Sequence, residues 1–266
     1  MNKIYYLVLA FFFLSNVSEN LFANDRHFSY LYESTVMAKG SKEIEVWTTT
    51  RLGKQDGYFA ALDNRIEFET GLTKKLQTSF YLNFGSTTTD NGTGVNQTVL
   101  NFYGISSEWK YNITNPYTSS FGFALYGELG LSTSEVELET KLIFDKKIKN
   151  TTLALNLVYE PEWELSPGET KLDHNVEGLF GLSYAFSSEL SAGFEVRNHN
   201  IFSKGEGLEF SALFGGPVIS YSQPSWWVTF TVFPQIVAFT GKTPGSSLNL
   251  GDHEKFESRL LFSFHL

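Results

Sequence analysis

The sequence predicts an all-β fold, a transmembrane antiparallel up-and-down β-barrel of about twelve strands. Three observations predict it. After residue 41, apolar residues recur with period two. The alternating segments run about 11–16 residues, long enough for a tilted membrane crossing. Their number is even, as in bacterial single-chain outer-membrane barrels. Composition agrees: 266 residues are 42% hydrophobic and 16% aromatic, yet mean hydropathy is −0.15. A wall apolar on one face and polar on the other reconciles those values. The net charge of −9 leaves no basic excess for a nucleic acid, so no such partner is expected. Zero cysteines exclude a disulfide scaffold, a thiol nucleophile and a thiolate metal site.

Met1–Ala23 reads as a secretory signal, with Lys3 in a positive n-region, an apolar run at Ile4–Leu14 and a small residue at Ala23. That run is too short to span the bilayer as a helix. Residues 24–41 hold the aromatic cluster Phe28, Tyr30 and Tyr32 and a turn signal at Lys39-Gly40. They are expected either to form a periplasmic arm or to fold into the lumen as a plug. The barrel takes residues 42–266.

The strands are expected at about 42–52, 57–70, 75–85, 97–110, 119–131, 134–145, 151–162, 174–186, 189–199, 206–221, 225–239 and 254–266. Phe80, Leu82 and Phe84 alternate with Ser79, Tyr81 and Asn83. Val136, Leu138 and Leu142 alternate with Glu135, Glu137, Glu139 and Lys141. Phe194 and Val196 alternate with Glu195 and Arg197. Leu100–Ser107 and Phe210–Ile219 mix their faces, and Gly215-Gly216-Pro217 reads as a bulge or sharp bend. With the C-terminus periplasmic, strand parity puts long loops outside at Ser86–Asn96, Trp163–Asp173 and Thr240–His253. An aromatic girdle is expected at the inner rim from Trp109, Tyr117, Tyr184, Phe186, Tyr221, Trp226, Trp227 and Phe264.

Leu260, Phe262, Phe264 and Leu266 share one face of the last segment. That segment resembles the terminal strand by which bacterial outer-membrane proteins are recognised for insertion, although it ends in Leu where Phe or Trp is usual. The runs Phe28–Glu33, Ala38–Gly40 and Glu43–Trp47 resemble a family of uncharacterised, porin-like outer-membrane β-barrel proteins. So do Leu62–Glu67, Gly71–Thr73 and Tyr81–Asn83. The resemblance implies fold and location in a bacterial outer membrane, with its lipid and its barrel-insertion machinery as partners. It implies no activity and no cofactor.

If the apolar side faces lipid, the lumen receives Glu43, Glu45, Arg51, Arg65, Glu67, Glu69, Glu128, Glu135, Glu137, Glu139, Lys141, Glu195, Arg197, Glu209, Glu257 and Arg259. Eleven are Glu and five are cationic, an excess hard to pair away completely. Arg65 is expected opposite Glu43 or Glu45 across the first hairpin. The first reading is a channel for small solutes with an acidic lumen. The alternative is a closed structural or surface-interaction barrel acting through its outer loops. A rim hydrolase is the third, using Ser203 with His174, His199 or His253 at the outer strand ends. The spacing supplies no nucleophile motif, so no enzyme is expected. The same three histidines are the only, and weak, candidates for a metal.

Overall fold

The computed structural model describes residues 26–90, 92, 94–203, 205, 207–251 and 253–266. The expected signal segment lies outside the described residues. Twelve strands follow in order: β1 Lys42–Leu52, β2 Phe59–Gly71, β3 Leu76–Asp90, β4 Asn96–Thr114, β5 Gly122–Leu131 and β6 Glu135–Ile148. Then come β7 Thr151–Ser166, β8 Glu169–Ala185, β9 Leu190–Ser203, β10 Gly207–Gln223, β11 Trp226–Thr240 and β12 Phe256–His265. Each pairs antiparallel with its sequence neighbours, and β1 closes the ring by pairing with β12. Closure leaves no strand edge unpaired. One rim carries Lys42 and His265, the start of β1 and the end of β12. We call it the terminal rim and the opposite one the far rim.

The alternation sorts side chains inside out. Phe80 is 54% exposed and Leu129 45%, whereas Glu43 and Glu195 are 0% and Glu108 1% exposed. A soluble protein would bury the first pair and hydrate the others. Leu260 and Phe264 likewise point outward on β12, as does Leu266 just past its end, while Leu261 and Ser263 are buried.

Several sequence expectations are corrected. Most strands run past their expected ends, so Ser86–Asn96 and Trp163–Asp173 are largely strand. β3 reaches Asp90, β4 starts at Asn96, and β7 and β8 are joined by residues 167–168 alone. Threonine-rich, β-branched residues extend the β3–β4 hairpin, and Thr88 and Thr98 hydroxyls meet across it at 2.9 Å. Residues 241–255 are the one long connection at the far rim. Trp227 leaves the expected girdle: it is fully buried in the lumen, while Trp109, Tyr117, Phe186 and Phe264 are exposed. Arg65 lies opposite Trp47, and Glu43 and Glu45 face Glu69 and Glu67.

The mixed segments have local causes. In β4 the register against β3 steps from Gly104 to Phe102, leaving Tyr103 as an extra residue, with Gly104 at φ +98°. Such a bulge puts neighbouring side chains on one face. In β10, Phe210, Ala212 and Phe214 turn inward and are buried. Around Gly215–Pro217 the ladder to β9 runs unshifted, while the pairs with β11 skip from Phe214 to Val218.

Candidate functional site

The lumen is the site, and two walls of different character line it. Strands β1–β8 carry an acidic stripe. Glu43, Glu69, Ser79, Glu108, Glu128 and Glu139 succeed one another as register partners from β1 to β6. A parallel row runs Glu45, Glu67, Tyr81, Ser106, Gly130, Glu137, Glu162, Asp173 and Ser203 from β1 to β9. Because barrel strands tilt, a row that starts near the terminal rim at β1 reaches the far rim at β8 and β9. Glu135 extends the stripe at the far rim, where its carboxylate clusters with those of Glu137 and Glu162.

Counter-charges are built between the acids. Arg65 bonds Glu128 and stacks on Tyr81, its guanidinium 4.2 Å from the ring centre. Lys141 pairs with Glu139 at 2.9 Å and sits 4.3 Å from the ring centres of both Tyr32 and Tyr126. The Tyr126 hydroxyl donates to Glu128 at 2.6 Å, and Tyr81 donates to Glu108. Arg51 meets Asp63 at 3.0 Å. The ring faces attract these cations and shield them from water beside the acids.

Residues 26–38 occupy the lumen. The chain enters beside β10 and β11, where Ser220 and Thr229 hydroxyls donate to the Arg26 carbonyl at 2.8 and 2.7 Å. Successive amides of Ser29, Tyr30 and Leu31 then donate to the Glu195 carboxylate at 2.9, 2.9 and 3.0 Å, and Thr231 adds a fourth donor at 2.6 Å. A buried carboxylate is tolerated when its oxygens are saturated this way. Tyr30 stacks on Phe233 and donates to Glu257, which also accepts from Arg197 at 2.7 Å. Arg259 lies 3.9 Å from the Tyr30 ring centre. The segment returns along the acidic wall. Asn156 exchanges two hydrogen bonds with the Tyr32 backbone, and Asp145, Asn112 and Gln77 bond the backbone of Ser34 and Met37. Phe28 and Leu31 press on Gly181, where a Cβ would come within 2.7 and 2.8 Å of their side chains. Glu33 is gripped by His27 at 2.8 Å and by Lys147. Burial raises its carboxyl, but those two partners outweigh it and hold it well below the usual carboxylate range.

At the far rim, residues 241–255 fold over the mouth. Gln235 bonds the backbone of Asn249 in both directions, at 2.7 and 3.0 Å, and His253 stacks on Phe210 with ring centres 3.6 Å apart. At the terminal rim a cavity of about 560 Å³ remains between the segment and the wall, lined by Arg26, Glu33, Lys74, Tyr117, Lys147 and a series of serines.

The three histidines are not brought together. His199 pairs with Glu177 at 2.6 Å and lies 5.6 Å from the His253 ring. His174 instead bonds the outward-facing Tyr159 at 2.9 Å. The Ser203 hydroxyl lies 2.6 Å from Asp173 and also within reach of Glu209, with its one proton to give to either; Glu209 is exposed at a register shift on the far rim. The hydroxyl's partners are thus carboxylates and not a histidine base. Sequence reasoning missed Glu108, Lys110, Asn156, Glu162 and the polar grip on residues 26–38. The Ser106, Glu108, Lys110 and Asn112 alternation was readable but blurred by the adjacent bulge at Tyr103.

Comparison with known proteins gives a class first. The barrel is similar to the COG4313 outer membrane channel from Pseudomonas putida F1, at 10% identity and TM-score 0.63 over 90% of this chain and 100% of that one. It is also similar to the NanC porin, at 12% identity and TM-score 0.56 over 84% and 100% of the two chains. The KdgM porin matches at 12% identity and TM-score 0.50 over 84% and 98%. At such identities the likeness is one of fold, that of outer-membrane channels and porins. The model of a family of unknown function (DUF6662) matches residues 20–266, and the chain belongs to that family. No curated protein matches it.

Proposed function

We propose that the protein is an outer-membrane channel for small solutes, with a lumen that favours cations and neutral solutes over anions and with residues 26–38 as its plug. The observation that carries this reading is the acidic stripe, which follows the barrel register from the terminal rim to the far rim. A purely structural wall has no need of carboxylates on seven of eight successive strands, with β3 alone supplying Ser79 and Tyr81, since each buried acid costs desolvation. The stripe belongs to the wall, so it remains when the plug leaves. Polar groups of the wall hold the plug's backbone and can be satisfied by water once it withdraws, while Phe28, Tyr30 and Leu31 pack in an apolar cluster with the wall. Porin-type folds among the structural neighbours support the class. By the same likeness the terminal rim faces the periplasm, as the C-terminal end of such barrels does.

Planar-bilayer recording tests the proposal. The full chain is expected to be silent or to open rarely, and a chain lacking residues 26–38 to carry a cation-biased current. A folded, shortened barrel that conducts nothing would favour the second reading, a permanently closed barrel. The stacking of Tyr30 on Phe233, beside Phe214 on the neighbouring strand β10, seats the segment on an apolar part of the wall and supports that alternative.

A further inference from the structure

Solute passage does not account for the terminal end of the acidic wall. Carboxylate oxygens of Glu43 and Glu45 on β1 and of Glu69 on β2 all lie within 4.8 Å of one another. None of the three residues is more than 3% exposed. Glu67 faces Glu45 across the same strand pair, and its Oε2 is buried without a hydrogen-bond partner. Glu43 Oε1 is orphaned too, as is the hydroxyl of Ser79, the register partner of Glu69 on β3. Oxygens without a hydrogen-bond partner therefore stand on three adjacent strands around the Glu43, Glu45 and Glu69 cluster.

Surrounding donors satisfy only part of the set. Glu43 Oε2 accepts from Ser263 at 3.1 Å and lies 3.3 Å from His265. Glu45 accepts from the Trp47 indole at 2.7 Å. Arg26 and Lys110 are the basic side chains along the crevice, where Glu45, Glu67, Glu69 and Glu108 also lie. Buried acids in such surplus are stabilised either by a proton shared between them or by a counter-charge. The crevice encloses about 10 Å³, the space of roughly one water-sized sphere.

We propose that Glu43, Glu45, Glu67 and Glu69 bind one hard divalent cation of the calcium or magnesium type. A donor set made only of oxygens, rich in charge, selects such ions over softer metals. The Ser79 hydroxyl supplies a neutral oxygen on the third strand. Arg26 and Glu33 line both the crevice and the terminal-rim cavity, which gives an ion its route in. The site does not depend on conduction.

Terbium luminescence on the folded full-length barrel in detergent tests it, because Trp47 touches a ligand and can sensitise a bound ion. Emission is expected to saturate at one ion per chain, to be displaced by Ca²⁺ or Mg²⁺, and to need at least tenfold more terbium in Glu69→Gln and Glu67→Gln. No saturable emission from the folded protein overturns the proposal. So does emission unchanged in both variants, or emission abolished by Glu162→Gln, which would put the ion beside Trp163 instead. Should either variant fail to fold, Trp47→Phe keeps all four acids. It must lose sensitised emission while calorimetry still detects the ion, and loss of the calorimetric signal as well refutes the site. A silent bilayer recording with intact ion binding counts against the channel alone.

Discussion

The β9–β12 wall and the β1–β8 wall use buried carboxylates in opposite ways. Glu195 is 0% exposed and spends its oxygens on three successive amides and a threonine. Glu257, on the same side, is shared by Arg197 and Tyr30. These acids are saturated, and they hold a segment in place. Across the lumen, Glu43, Glu67 and Glu108 each keep an orphaned oxygen, and Glu135, Glu137 and Glu162 crowd one another at the far rim. Those acids are in surplus, which is how a wall looks when it carries a field or receives an ion. Burial alone does not distinguish a structural acid from a functional one; the state of its oxygens does.

The largest effect should come from breaking the saturated side. Glu195→Gln puts an amide donor among amide donors and weakens three charged hydrogen bonds, costing roughly 3 kcal/mol of segment seating. Limited proteolysis should then cut within residues 26–38 far faster than in the parent, and unchanged protection would refute the grip. Gly181→Val attacks the same seating sterically. It drives Phe28 and Leu31 off the wall at a cost of about 1–3 kcal/mol, with the barrel itself still folded by heat-shifted gel mobility.

The far-rim loop responds to pH through His253, pushed down to about 3 by burial first and then by His199, Arg197 and Lys54. An unfolded histidine titrates near ~6.5, so its contribution is full above that value and is lost as pH falls toward 3. Glu254 acts in the opposite sense. Burial and Glu257 raise it to about 8, so its contribution is full below the ordinary carboxylate range and is lost as pH rises toward 8. His253→Phe keeps the stack on Phe210 and removes only the acid limb. Proteolysis of residues 241–255 should accelerate between pH 6.5 and 4 in the parent more than in the variant.

Glu137→Gln makes the same chemical change as Glu195→Gln on the surplus side. Barrel stability should stay within about 1 kcal/mol, while the current of the shortened chain loses part of its cation preference, read as a reversal-potential shift. Equal destabilisation by the two changes would erase the contrast between the walls. Smallest of all, Lys171→Ala removes an exposed 2.9 Å pair with Asp173 and should change stability by less than ~0.5 kcal/mol by denaturant titration.

The sequence by itself determined the barrel. Period-two alternation is a local property of extended chain, so strand number, strand order and the outward face of Phe80 or Leu260 were legible without any long-range contact. It also determined that Glu43, Glu137 and Glu195 point inward. What each of those acids does was decided only by tertiary structure. Register and tilt turn residues far apart in sequence, such as Glu45 and Asp173, into one row, and no local pattern encodes that alignment. The aromatic run Phe28–Tyr32 looked like a terminal arm or a plug. Its seat became visible only once Glu195, 164 residues beyond Leu31, stood beneath its amides. Loop lengths failed for a related reason. Polar, β-branched residues beyond the apolar belt still pair when the opposite strand is there to pair with, and the partner, not the local composition, set where β3 and β7 stopped.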